Sequence, residues 1–204
     1  IPQFQQGGPD SDLGAVIFDV TDLPDASKVR EVARIRAPET PGGFHNIFMY
    51  KHSDGRPLLF TTTNGPYVAV YDMDKVVRGG DGANGRVPVP EGAAEAQPNF
   101  GYHDMYVAWD PATNQDKFYG GGAAGYHVYN VTVPSTPEHL FSITNMGTVP
   151  WGHTFTPTPD GKYAVTEVEY QYSPLRIFDL QAAQRGEVKT ISKEISAWTP
   201  NWKN

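Results

Sequence analysis

Four short segments of this chain repeat one another: AVIFDV (15–20), YVAVYDM (67–73), YHVYNV (126–131) and LRIFDL (175–180). Each sets aromatic and β-branched residues at a period of two and reaches an acid or amide near its end, at Asp19, Asp72, Asn130 and Asp179. These markers lie 53, 58 and 49 residues apart, near the roughly 40–50-residue period of propeller blades once loops vary in length. A helical repeat would need apolar positions three and four apart, so period two bounded by Gly, Pro, Asn and Asp specifies strands. The 21 Gly and 18 Pro are scattered between apolar runs without a fibrous period, and so read as turn residues.

Other strands fall around these anchors. Before three of them stand paired runs, 45–63, 103–121 and 153–169, each folded back at a polar turn: SDGR, PATNQD and PDGK. After three of the four anchors comes a further run: VREVARI, HLFSIT and VKTISKEIS. Each unit reads as four antiparallel strands, a to d. The expected fold is therefore all-β, a partial β-propeller of about three and a half four-stranded blades. It would span residues 14–204, with 1–13 as an N-terminal extension and 78–98 as an insertion or a loosened outer strand. Reading opens on strands c and d and reaches SAWTPNWKN where a new strand a is expected. The ring is thus expected to be unclosed, its open faces covered by chain beyond Asn204 or by a protein partner.

The anchors AVIFD, VAVYD, YHVYN and LRIFD, with the continuations DVTDLPDASKV and NVTVPSTPEHL, resemble the LVIVD-repeat β-propeller family. The resemblance covers nearly the whole chain and implies an extracytoplasmic protein of a family mostly without assigned activity. The start at Ile1, with the polar IPQFQQGGPDSD, carries the same expectation of a periplasmic or secreted location.

Several function classes lose support. A formal charge of −7 without clustered Lys or Arg offers nothing to a nucleic-acid backbone. No apolar run approaches the roughly 20 residues needed for a membrane-spanning helix. The absence of Cys removes thiolate ligands, disulfides and Cys nucleophiles. No G-x-S-x-G, P-loop or H-E-x-x-H occurs. A literal G-x-G-x-x-G at Gly120, Gly122 and Gly125 falls between two expected strands, whereas a pyrophosphate loop must open a helix.

The most suggestive constellation is His45, His103 and His153, which occupy one position in three successive units, in FHNIF, YHDMY and GHTFT. At the start of an innermost strand they would converge near the propeller axis, where imidazoles suit a transition metal such as Fe or Zn. The arrangement is similar to that of propeller oxygenases and selenium-binding-type propellers. The competing reading is structural, each His bonding the neighbouring backbone. Glu167 and Glu169, two apart on a strand and hence on one face, could bind a cation or serve as acid and base, although a solvated face is the preferred reading; His52, His127 and His139 read as surface or packing residues. GGDGANG (79–85) reads as a flexible loop rather than a calcium site, and the Asn130 sequon as structural. Trp198 and Trp202 are candidate partner contacts.

The functional expectation is a non-catalytic binding or scaffolding subunit without cofactor. It would be membrane-extrinsic, of the kind that braces a respiratory or photosynthetic reaction-centre complex. The alternative is a metal-dependent oxidoreductase with a His-lined axial site, and a third reading is a sugar or small-ligand receptor on the blade loops.

Overall fold

The computed structural model describes residues 8, 10–40, 42–96, 101–147 and 149–199. Over these residues the chain is all-β and forms sheets in sequence order. β1 (Leu13–Asp19) and β2 (Arg30–Arg36) make a two-stranded antiparallel sheet. β3 (Ile47–Lys51), β4 (Pro57–Thr62), β5 (Tyr67–Asp72) and β6 (Ala83–Pro88) make a four-stranded antiparallel meander. β7 (Tyr102–Asp110), β8 (Gln115–Gly122), β9 (Gly125–Asn130) and β10 (Glu138–Ile143) repeat it. β11 (Thr154–Pro157), β12 (Tyr163–Glu167) and β13 (Leu175–Asp179) begin the last sheet. No helix among the described residues is long and apolar enough to cross a membrane.

Two details differ from the sequence reading. Within 78–98, Ala83–Pro88 is a paired fourth strand, and GGDGANG feeds directly into it, Asp81 accepting from the Ala83 amide. In the last unit, VKTISKEIS is not an outer strand. The short helix α3 (Gln181–Gln184; α1 is Met73–Val77 and α2 Glu91–Ala96) is followed by Gly186 at φ 76°, which diverts the chain to the neighbouring sheet. There β14 (Thr190–Ile191) adds in parallel to β10. The chain then returns as β15 (Ser196–Trp198), the fourth strand beside β13, where the sequence had suggested a new unit. Trp198 lies on this strand and is 59% exposed, whereas Trp202 is outside the described residues.

Period-two alternation explains why the sheets stack. Successive side chains of a strand point to opposite faces, and in the middle sheets both faces are apolar. Leu59, Ala69 and Tyr71 pack with Ile35 on the first sheet, while Phe60, Val68 and Val70 pack with Met105, Val107 and Phe118 on the third. Tyr119, Tyr126 and Val128 meet Phe155, Ala164 and Phe178 of the fourth. The four markers have a common local role. Asp19, Asn130 and Asp179 accept from the amide two residues on, at Thr21, Thr132 and Gln181, and Asp72 caps α1 through the Lys75 amide.

A buried polar clasp joins the second and third sheets. The Asp116 carboxylate, fully buried on β8, accepts from Tyr50 Oη at 2.5 Å, Ser53 Oγ at 2.6 Å and the Ser53 amide at 3.2 Å. His52 Nε2 stands 3.1 Å from its other edge. Burial and the adjacent carboxylate raise the Tyr50 phenol far above its ordinary range, so it stays a donor.

His127 is buried as well, and its tautomer is determined. Nε2–H donates to the Ala123 carbonyl at 2.8 Å, so Nδ1 accepts from Ser142 Oγ, also at 2.8 Å. Burial holds this imidazole down to about 4 from 6.5. The unfolded chain therefore takes up the proton first as pH falls. The contribution is complete above about pH 6.5 and is lost between there and about pH 4, with a slope approaching 1.4 kcal/mol per pH unit. Chemical denaturation from pH 7.5 to 4 should show this slope, and His127→Gln should flatten it.

Candidate metal centre

The sequence places His45, His103 and His153 at equivalent points, and the fold gathers them where β3, β7 and β11 adjoin. His45 is pinned by its amide on the Thr62 carbonyl, and His153 by its amide on the Glu167 carbonyl. His103 sits at a register irregularity between Tyr102↔Gly122 and Asp104↔Gly121, and its carbonyl accepts from Asn46 Nδ2 at 2.9 Å. His45 and His153 are thus fixed within their own sheets, and the Asn46 bond to His103 ties the second sheet to the third.

Glycines make the close approach possible. A Cβ on Gly121 would lie 2.1 Å from the His153 carbonyl oxygen, and one on Gly152 would lie 2.1 Å from that of Gly125. The Gly-rich hairpin between β8 and β9 therefore serves as a seat for the His153 segment. No helix follows it, and the nucleotide motif has no structural counterpart. Gly121→Ala should cost about 1–3 kcal/mol by overpacking and displace His153, readable as a fall in the urea midpoint with a shifted His153 imidazole resonance.

The rings converge closely. His45 Nε2 and His103 Nε2 are 2.8 Å apart, and the His103 and His153 rings stack at 3.7 Å between centroids. His153 Nε2 faces a Glu169 oxygen at 3.3 Å, and its Nδ1 meets Glu167 at 2.5 Å. One ligand atom from each of His103, His153 and Glu169 fits within a 4.8 Å span. Trp151 stands edge-on to His103 at 5.2 Å and walls one side. Burial, then the neighbouring histidines, hold His103 down to about 4, so that it is neutral at pH 7. Its buried Nδ1 has no hydrogen-bond partner among the described residues.

Glu167 and Glu169 are a correction to the solvated-face reading. Glu169 is 71% exposed at its side chain, but both carboxylates turn to His153. The signal was present: a hairpin closed at PDGK pairs Thr154 with Glu167, which brings V-T-E-V-E back beside the histidine. By contrast His52 and His127 serve buried polar networks, as packing residues do.

No protein-family model matches the chain, and no curated protein matches it. Among solved structures it is similar to a Bacteroides fragilis protein provisionally named a 6-phosphogluconolactonase, with 14% identity and a TM-score of 0.51. The match covers 97% of this chain and 62% of that one, so the chain spans about three fifths of that protein's length. At this identity the likeness concerns the fold. It nevertheless corrects the expectation of a non-catalytic scaffolding subunit, because the fold is one that a protein with an enzyme's name also carries.

Proposed function

We propose that the successive sheets are blades of a partial propeller, and that His103, His153 and Glu169, with His45 beside them, hold one divalent transition-metal ion in a metal-dependent enzyme. The single observation that carries this reading is the convergence of equivalent histidines from two sheets, His103 and His153, on the Glu169 carboxylate, with His45 of a third sheet against His103. Two histidines and one carboxylate are the donor set of non-haem Fe(II) oxygenases, which favours redox chemistry. The repeated markers and the Asx-type turns they close support the LVIVD-type repeat.

Glu167 completes the design. A metal-ligating His usually gives its other N–H to a carboxylate, which fixes the tautomer and ring orientation. Glu167 at His153 Nδ1 leaves Nε2 aimed at Glu169 and the other rings.

Anaerobic titration of metal-depleted protein with Fe(II), and separately with Zn(II), should give one equivalent bound. The triple variant His45→Ala/His103→Ala/His153→Ala should remove it while circular dichroism keeps the β signal. Oxygen uptake by the Fe(II) form is the activity readout, with lactone hydrolysis as the control suggested by the B. fragilis protein's name. An unchanged titration in the folded triple variant would dismiss the site.

A further inference from the structure

At the other end of the strands lies a second feature. His103 and Asp110 occupy opposite ends of β7, about 23 Å apart at ~3.3 Å per residue. Beside Asp110, a cavity of about 550 Å³ opens between the β7–β8 turn, the β11–β12 turn and α3. Its lining includes Asp110, Asp160, Lys162, Gln181, Gln184 and Arg185, and no aromatic ring.

Behind this lining is an unusual group. Lys117 is 1% exposed, and a buried ammonium is costly unless its protons are satisfied. Nζ donates to Asp110 Oδ2 at 2.7 Å and to Gln184 Oε1 at 2.5 Å. An ammonium has three protons, and among the described residues the third meets no acceptor. Both partners of Lys117 line the cavity, and the ammonium behind them fixes the Asp110 carboxylate and the Gln184 side chain there. Gln184 is fixed in turn, its Nε2 donating to Tyr119 Oη at 3.2 Å.

The charges nearly cancel. Lys162 is paired with Asp160 at 3.2 Å, Arg185 with Glu187 at 2.6 Å and Lys117 with Asp110. A balanced field gives an anion or a cation no net attraction. Carboxylates that accept and amides and ammoniums that donate, side by side, match hydroxyl groups, which do both. The missing ring removes the stacking platform a nucleobase or aromatic ligand would use.

We infer that this cavity is a second ligand site, separate from the histidine cluster, for a small neutral polyhydroxylated molecule such as a polyol or monosaccharide. Asp110 and Gln184, held from behind by Lys117, face the ligand on one side, and Asp160, Lys162 and Gln181 complete the contacts from the two flanking elements.

The test is a titration of ¹⁵N-labelled protein with D-glucitol, D-glucose and D-gluconate, following the amides of Thr113, Gly161 and Gln181. Expected are saturable shifts with one or both neutral probes, with Kd on the order of 1 mM, confined to these turns. Gluconate should bind at least fivefold more weakly. The double variant Lys162→Ala/Gln181→Ala, which leaves the buried Lys117 pair intact, should weaken neutral binding at least tenfold. Absence of saturable shifts with either neutral probe, preference for gluconate, or equal binding by the folded double variant would overturn the proposal. Because the probes contain no metal, none of these outcomes depends on the histidine site.

Discussion

Replacement of Asp116 by Ala is expected to lower the free energy of unfolding by about 3–5 kcal/mol, among the largest losses a single substitution can produce here. The carboxylate is fully buried and receives Tyr50, both donors of Ser53 and His52. Removing it strands several donors at once, and each buried unsatisfied group costs about 1–3 kcal/mol. Asp116→Asn keeps the shape and one acceptor oxygen but points an N–H₂ at another donor, so it should recover only part of the loss. Tyr50→Phe removes one donor and leaves the others served, and its cost should stay near 1–2 kcal/mol. Urea denaturation of the three variants checks the order Asp116→Ala, Asp116→Asn, Tyr50→Phe. Equal, small effects would show that the clasp does not hold the second and third sheets together.

The second large effect concerns metal affinity. His153→Ala removes a proposed ligand, and with it the group on which both Glu167 and Glu169 converge. Its Kd for Fe(II) or Zn(II) should rise more than 100-fold. Glu167→Gln retains a hydrogen-bond acceptor at His153 Nδ1 but loses the charge that makes the imidazole a stronger donor to metal, so a rise of about 10–100-fold is expected. Glu167→Ala should fall between Glu167→Gln and His153→Ala. Graded affinities with nearly constant urea midpoints would place Glu167 as a positioning residue. If Glu167→Gln and Glu167→Ala bind as the wild type does, Glu167 only braces the backbone through its carbonyl contacts with His153 and Tyr126.

Much of this arrangement was legible in the sequence, for identifiable reasons. Alternation in YVAVYD and YHVYN specified strands apolar on both faces, and the structure buries both faces of β5 and β9. The shared position of three histidines specified that they would meet if the units stacked, and they do. The route after Asp179 was not legible. Thr190–Ile191 pairs with a strand from another unit, and a two-residue parallel pairing leaves no periodic trace. Glu169 reads from sequence as solvated in preference to cation-binding because two acids on alternate positions describe a wet strand face as well as a ligand pair. Only the register Thr154↔Glu167, read together with His153, separates the two. The buried Lys117 was equally silent, because its partners Asp110 and Gln184 lie 7 and 67 residues away on other elements.

Substitutions report on the metal centre indirectly, whereas anomalous diffraction reports on its position. Crystals of the protein loaded with Fe(II) or Zn(II), measured on either side of the metal's absorption edge, should show one strong anomalous peak. The account predicts that peak about 2.0–2.2 Å from Nε2 of His103, Nε2 of His153 and an oxygen of Glu169, with His45 beside it and Glu167 still on His153 Nδ1. A loaded crystal with no peak between these residues, or with its peak elsewhere, would contradict it.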